Sequence, residues 1–240
     1  MPHRYLYIFP HPDDESFGPA PVMARQLRDG HEVHLLTLTR GGATRMRHKF
    51  GYSVEEMGAV RLREMQCVKE VIGLTGMRVL DLPDSGLKEM DPRDIEEAVA
   101  KEIMRVRPDI VITYAVHGIS GFHDHLVQHA VVKRAYLELR DNGADFLRRL
   151  ALFTVSENVQ QVEGWVKLNT SKPEEIDCVV EVAEEDLQTM ARALECYKTY
   201  QEVIRQSGVM DAIGREIPFE IFQEEFDPPL KDLGDGLPGF

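Results

Sequence analysis

The stretch Tyr5-Leu6-Tyr7-Ile8-Phe9-Pro10-His11-Pro12-Asp13-Asp14-Glu15 decides how this chain is read. Its leading run is aromatic and aliphatic, the composition of a short strand. Proline then stops that strand, and an imidazole is set beside a row of carboxylates. Pro-Asp-Asp also suits a helix N-terminus, where the helix dipole favours acids. The chemical reading is that His11 and Asp14, close together across a strand-to-helix turn, converge on one metal ion. Asp13 then points elsewhere and can hold a water.

Outward from this stretch, strand-like and helix-like patterns alternate. A helix is expected over 19–27, ending near Asp29-Gly30, and a strand over 31–39. Gly41-Gly42 opens a basic loop to residue 50. Ser53 with Glu56 has the form of a capping box for a helix to Ile72, and Gly73 stops it. A strand over 77–82 runs into the turn Pro83-Asp84-Ser85-Gly86. Asp91-Pro92 opens the next helix, whose stripe is Ile95, Ala98, Val99, Ile103 and Val106. Residues 109–115 (DIVITYA) form a near-continuous apolar run, as in a strand buried on both faces. A polar loop (117–124), a helix (125–141) and a strand (152–155) follow. Beyond them a strand over 178–182, one long helix over 184–205, an edge strand over 217–222 and an extended tail are expected.

This alternation predicts an α/β fold: one Rossmann-like, doubly wound, mainly parallel sheet with helices on both faces. Residues 1–155 form its core, and 156–240 a less regular part packed on that core within a single domain. Ligands in such folds bind outside the carboxyl ends of the strands. Those ends carry His11 to Asp14, Arg40 to Gly42, Asp84 to Gly86, and the loop from His117 to His125.

Composition narrows the classes. An apolar fraction of 43% supports a sizeable core. No apolar run is long enough for a bilayer and no signal peptide is visible, so a cytoplasmic location without a membrane partner is expected. A formal net charge of −13 disfavours nucleic acid as a partner. Cys67, Cys178 and Cys196 are widely spaced and form no Cys-x-x-Cys pair, so free thiols are expected, with neither a disulfide framework nor a thiolate zinc site. Arg40, Arg45, Arg47, His48 and Lys49 read first as a solvated loop, and second as a flap for an anionic substrate group. Trp165 reads as a packing residue. A homo-oligomer stays open.

A catalytic zinc site takes three protein ligands and keeps an open position. The third ligand should come from another strand end. His117, His123 and His125 cluster after the fourth strand, with His129 one helical turn further on. Asp124-His125, at a helix start, is the obvious source.

At these residues the chain resembles the PIG-L/LmbE-like zinc N-deacetylases. His11 to Glu15 is similar to their His-Pro-Asp-Asp-Glu signature, and Gly121-Phe122-His123-Asp124-His125 to their Gly-His-Pro-Asp-His signature. Val60-Arg61 with Glu64, and Asp84-Ser85-Gly86, resemble two intervening motifs. The resemblance covers about residues 4 to 140. It implies that His11, Asp14 and His125 bind zinc, with iron(II) suited to the same donors. It implies that Asp13 is the general base and that Arg61 and Asp84 contact the substrate, an N-acetylated sugar of the N-acetylglucosamine type.

The chain departs from the pattern at Phe122, where the family has a histidine that stabilises the oxyanion. His123, or His117, is expected to replace it. Gly18-Pro19-Ala20-Pro21 stands in place of a glycine-rich turn, and Tyr197-Lys198-Thr199-Tyr200 in place of His-x-Ser-Gln. Two rival classes follow: a metal-holding relative with weak catalysis that acts as a small-molecule binding protein, and a nucleotide-binding Rossmann module. The second predicts a glycine-rich loop after the first strand, where this chain has Pro-Asp-Asp.

Overall fold

A computed structural model of the chain describes residues 2–159, 161–163 and 166–238. Trp165 lies outside the described residues. The strands are β1 (Arg4–Phe9), β2 (Glu32–Thr39), β3 (Gly76–Leu82), β4 (Ile110–Tyr114), β5 (Arg149–Phe153), β6 (Cys178–Glu181) and β7 (Glu216–Ile221). They form a seven-stranded sheet in the order β3-β2-β1-β4-β5-β7-β6. The pairs from β3 to β5 are parallel, and β7 runs antiparallel to both β5 and β6.

The helices are α1 (Ala20–Arg28), α2 (Arg47–Phe50), α3 (Val54–Ile72), α4 (Pro92–Val106), α5 (His123–Asp141), α6 (Glu184–Cys196), α7 (Gln201–Ser207) and α8 (Val209–Ala212). Side chains of a strand alternate between faces, and β1 shows what this builds. Tyr5, Tyr7 and Phe9 join a core with Met23 of α1, Met65 of α3 and Met190 of α6. Leu6 and Ile8 join the opposite core with Val99 of α4 and Val132 of α5. Helices therefore cover both faces of the sheet.

Local signals are borne out where they are chemical. Ser53 Oγ accepts from the Glu56 N–H, and Glu56 Oε2 accepts from the Ser53 N–H. Asp91 caps α4 with Pro92 at its first position, and Gly73 ends α3 at φ 83°. β1 has β2 on one side and β4 on the other, so the direction of winding reverses between β1 and β4. The crevice of a doubly wound sheet opens at that reversal.

Four expectations need correction. First, Cys67 and Cys196 are disulfide-bonded, with Cα atoms 5.8 Å apart and a sequence separation of 129. Packing of α3 on α6 brings them together, which spacing could not show; Cys178 is free and buried. Second, the single helix over 184–205 is broken at Tyr197, which has ψ 68°. The Gln201 amide donates to the carbonyls of Leu194 and Tyr197, closing the end of α6. Third, the antiparallel pair β6 and β7, joined through α6 to α8, puts β7 inside the sheet and β6 at its edge. Pro218 lies within β7, and its carbonyl accepts from the Thr154 N–H. Fourth, the tail is packed: Leu233 is buried, and Leu230 bridges to Cys178. Among the described residues no helix is long and apolar enough to cross a membrane.

Candidate active site

The residues at the carboxyl end of β1 turn into the crevice. Asp13 takes φ 87°, a left-handed conformation uncommon outside glycine. Its N–H donates to Tyr197 Oη at 2.8 Å, and Tyr197 in turn donates to Glu15 Oε1 at 2.6 Å. With Asp13 bent away, Asp14 folds back: its Oδ2 accepts from the His11 N–H at 2.8 Å, and its Oδ1 from Tyr114 Oη at 2.8 Å. Tyr114 is the last residue of β4, so the two strands flanking the crevice hold this carboxylate between them.

His125 reaches the same carboxylate from the first turn of α5. Its Nδ1 lies 2.9 Å from the Gly118 carbonyl, which can only accept, so Nδ1 carries the hydrogen and donates it in this bond. That hydrogen bond fixes the tautomer and leaves the Nε2 lone pair free, 3.4 Å from Asp14 Oδ1. Gly118 permits this approach. It has φ 62°, and a Cβ there would stand 2.8 Å from His125 Cβ. Burial holds the His125 imidazole below its usual range, favouring the neutral ring a metal needs.

His11 is arranged in the same way. Its Nε2 lies 3.2 Å from Asp124 Oδ2 and 3.4 Å from Asp84 Oδ1, and its Nδ1 lies 3.5 Å from Asp14 Oδ2. Asp124 is itself held by the N–H groups of Ser85 and Leu87. Burial lowers the His11 pKa, but hydrogen bonds to Asp124 and Asp14 outweigh it and push it up to about 10. For His11 to hold a cation, the ion would have to displace a proton that these carboxylates stabilise.

Among the described residues, two groups bring three ligand atoms within 4.8 Å of one another: His11, Asp14 and His125, and His11, Asp84 and Asp124. The first fits a borderline divalent metal better. It offers two imidazole lone pairs and one carboxylate, each oriented by a further hydrogen bond. In the second, Asp84 accepts from the Ala43 N–H and Asp124 from two backbone groups, so both are already engaged.

Asp13 is held from the other side. Arg61 Nη2 stands 2.6 Å from Asp13 Oδ2 and 2.7 Å from the Pro12 carbonyl, and its guanidinium lies 4.1 Å from the Tyr200 ring centroid. Gly41, at φ 64°, leaves room: a Cβ there would meet Arg61 Nε at 3.1 Å. Burial pushes the Asp13 carboxyl up to about 6, while the Arg61 charge pulls it down. Glu64, one turn along α3 from Arg61, accepts from the Thr199 N–H and Oγ.

His11, Asp13, Asp14, Arg61, Asp84 and His125 all line one cavity of about 750 Å³. His123 is not among its lining residues and is exposed on the first turn of α5. His117 is turned to Ser171, Thr154 and the Ile119 N–H. Phe122 stands at the cavity rim, 52% exposed, with its ring edge-on to His125. The basic loop is partly paired, Arg40 with Asp81 and Lys49 with Glu202, while Arg45 lines the cavity. Sequence reasoning missed Tyr114, Tyr197 and Tyr200. Tyr114 could have been found from its place at a strand end; the other two lie in the segment that replaces the family's His-x-Ser-Gln motif, which marks the place but not their roles.

Known proteins share this architecture. The chain is 27% identical to a 1D-myo-inositol 2-acetamido-2-deoxy-alpha-D-glucopyranoside deacetylase of Thermomonospora curvata, over 98% of this chain and 97% of that protein. With three other deacetylases of that name, the match spans about half of their length. Among solved structures, a deacetylase from the teicoplanin biosynthesis pathway superposes with a TM-score of 0.71 at 16% identity, covering 91% of this chain and 97% of that one. GalB, the 4-carboxy-2-hydroxymuconate hydratase from Pseudomonas putida KT2440, superposes with a TM-score of 0.69 at 15% identity, covering 93% and 98%. The fold alone therefore does not choose the reaction. The family profile for GlcNAc-PI de-N-acetylases (PIG-L) matches residues 6–136, which include His11, Asp13, Asp14 and His125, and the chain belongs to this family of N-deacetylase hydrolases.

Proposed function

We propose that this chain removes the N-acetyl group from an N-acetylglucosamine-type sugar or its conjugate, with a metal held by His11, Asp14 and His125. The observation that carries the reading is the convergence of these three side chains beside an Asp13 that is fixed in place but not bound into the triad. Zinc is the metal we assign, and iron(II) suits the same donors. When bound, such an ion polarises the amide carbonyl and makes water acidic enough to attack at neutral pH.

The chain's own residues do the rest. Asp13 takes a proton from the attacking water and returns it to the departing nitrogen, so one carboxylate serves both directions. Arg61 keeps that carboxylate aimed and ionised. Tyr114 and the Gly118 carbonyl keep Asp14 and His125 aimed. Asp84, at the cavity wall beside His11, is placed to accept a hydrogen bond from a sugar hydroxyl.

Acetate release from N-acetylglucosamine conjugates by the metal-loaded protein tests this reading. Asp13→Asn should lower kcat by about 10²–10⁴-fold while metal content stays near one per chain. One observation favours a second reading, a metal-holding relative with weak catalysis: Phe122 occupies the family's oxyanion-histidine position, and neither His117 nor His123 lines the cavity. Release equally slow in wild type and Asp13→Asn, with metal bound in both, would select it.

A further inference from the structure

The loop that follows β4 has left-handed backbone at Gly118 (φ 62°), Ile119 (φ 54°) and Gly121 (φ 70°). Glycine adopts this conformation freely, but a β-branched residue does so only where its surroundings hold it. Both backbone groups of Ile119 are held. Its N–H donates to His117 Nδ1 at 3.0 Å, and its carbonyl accepts from the Asn169 N–H at 2.7 Å and from Asn169 Nδ2 at 3.0 Å. Because His117 Nδ1 accepts, the ring hydrogen sits on Nε2, which lies 3.2 Å from Ser171 Oγ and 3.3 Å from Thr154 Oγ1. Burial holds the His117 imidazole below its usual range, which keeps the ring in the neutral form that accepts at Nδ1. Ser171 is itself buried; its N–H donates to the Val155 carbonyl and its hydroxyl to Glu220 of β7.

A continuous set of bonds therefore joins the sheet to a candidate metal ligand. Glu220 and Val155 fix Ser171, Ser171 fixes His117, and His117 fixes the turn at Ile119. The carbonyl directly before Ile119 is that of Gly118, which holds the His125 hydrogen on Nδ1 at 2.9 Å and leaves Nε2 for the metal. Released at Ile119, the strained turn relaxes toward ordinary backbone and carries that carbonyl away from the ring. We propose that His117 is a positioning residue for His125: it latches the turn to Ser171, so that the Gly118 carbonyl stays on His125 Nδ1. The inference rests on the reading above in which His125 holds the metal. It gives His117 a task other than the oxyanion contact expected of it from the sequence.

His117→Phe keeps a ring and removes its bonds to Ile119 and Ser171. In the zinc-free protein, nitrogen NMR of the His125 ring should show the Nδ1–H tautomer in wild type and its loss in the variant. Zinc affinity, from competition with a chromogenic chelator, should fall by about 10–100-fold, the effect of removing a group that orients a ligand. His117→Asn offers an oxygen to the N–H two residues on, as in an Asx turn, and should restore the tautomer and part of the affinity. In an Ile119→Gly background, where the left-handed turn is unstrained, His117→Phe should weaken zinc binding less than it does alone. A folded His117→Phe with wild-type tautomer and affinity overturns the proposal, whatever its melting temperature. If His117→Phe does not fold, Ser171→Ala breaks the latch at its far end and decides on the same two readouts: a fall in both supports the proposal, and no change in either overturns it. Should the wild type bind no zinc, the hydrolase reading fails, and the tautomer alone decides the latch.

Discussion

Arg61 Nη2 stands 2.6 Å from Asp13 Oδ2, and the arginine side chain is only 2% exposed. The guanidinium reaches this position through the gap left by Gly41, is covered by Tyr200, and also binds the Pro12 carbonyl. Arg61 thus acts on the reaction through Asp13. Replacing it by Met should lower kcat by ~10²-fold with little change in KM, since a small displacement of a catalytic group is enough for that loss. The same change should destabilise the fold by about 3–5 kcal/mol, because it leaves a buried carboxylate without its partner. Arg61→Lys keeps the charge but not the planar guanidinium that lies on the Tyr200 ring and holds Nη2 between Pro12 and Asp13, and should restore only part of the rate. A large rise in KM with kcat intact would instead make Arg61 a substrate ligand. Steady-state kinetics with urea unfolding of each variant gives both readouts.

Gly118 sets the tautomer of His125 through its carbonyl, and its missing Cβ lets the ring approach. Gly118→Ala puts a methyl 2.8 Å from His125 Cβ on a left-handed backbone. Metal affinity should fall by about 10–100-fold, the usual effect of disturbing a group that orients a ligand. Competition with a chromogenic chelator measures this without any substrate. Unchanged affinity would remove the carbonyl from the account.

Tyr197 carries one hydroxyl between the Asp13 N–H and the buried Glu15 carboxylate. Burial pushes the Glu15 carboxyl up to about 7, while hydrogen bonds from Ser16 and Tyr197 pull it down. Tyr197→Phe should cost about 1–3 kcal/mol, the penalty for a buried polar group left without its partner. It should also slow turnover, because the left-handed turn at Asp13 loses its anchor. Thermal unfolding and acetate release on the same preparation would show whether the two losses go together.

The Cys67–Cys196 bond closes a long loop and ties α6 to α3 immediately before Tyr197. Cys67→Ser should remove ~2–4 kcal/mol and lower Tm by ~5–15 °C. Reductant should do the same to the wild type and nothing to the variant. Disulfides persist mainly in oxidising compartments, so thiol titration of protein taken directly from cells shows whether this pair is bonded where the protein works.

The parts of the site that were legible in the sequence are those built from neighbouring residues. His11, Asp13 and Asp14 follow a strand directly, and His125 lies in the first turn of a helix, so strand-end logic placed all four on one edge of the sheet. Ser53 with Glu56, and Asp91 with Pro92, marked their helices because caps are local chemistry. What was not legible depends on contacts between distant segments. Tyr197 leaves the helical pattern of its neighbours because its hydroxyl and the Thr199 backbone are claimed by Glu15, Asp13 and Glu64. β7 enters the sheet between β5 and β6 because of a chain reversal that no residue pattern in 216–221 announces. His123 sits in the second signature, yet the first turn of α5 directs Asp124 and His125 inward and leaves His123 exposed.

The central claim is that Asp13 moves protons for amide hydrolysis beside a metal held by His11, Asp14 and His125. The most direct measurement is acetate release from an N-acetylglucosamine conjugate by zinc-loaded wild type and Asp13→Asn, with metal content determined on the same samples. The account predicts comparable metal in both proteins and a loss of about 10²–10⁴-fold in kcat for the variant. Equal rates in the two proteins at equal metal content would contradict it.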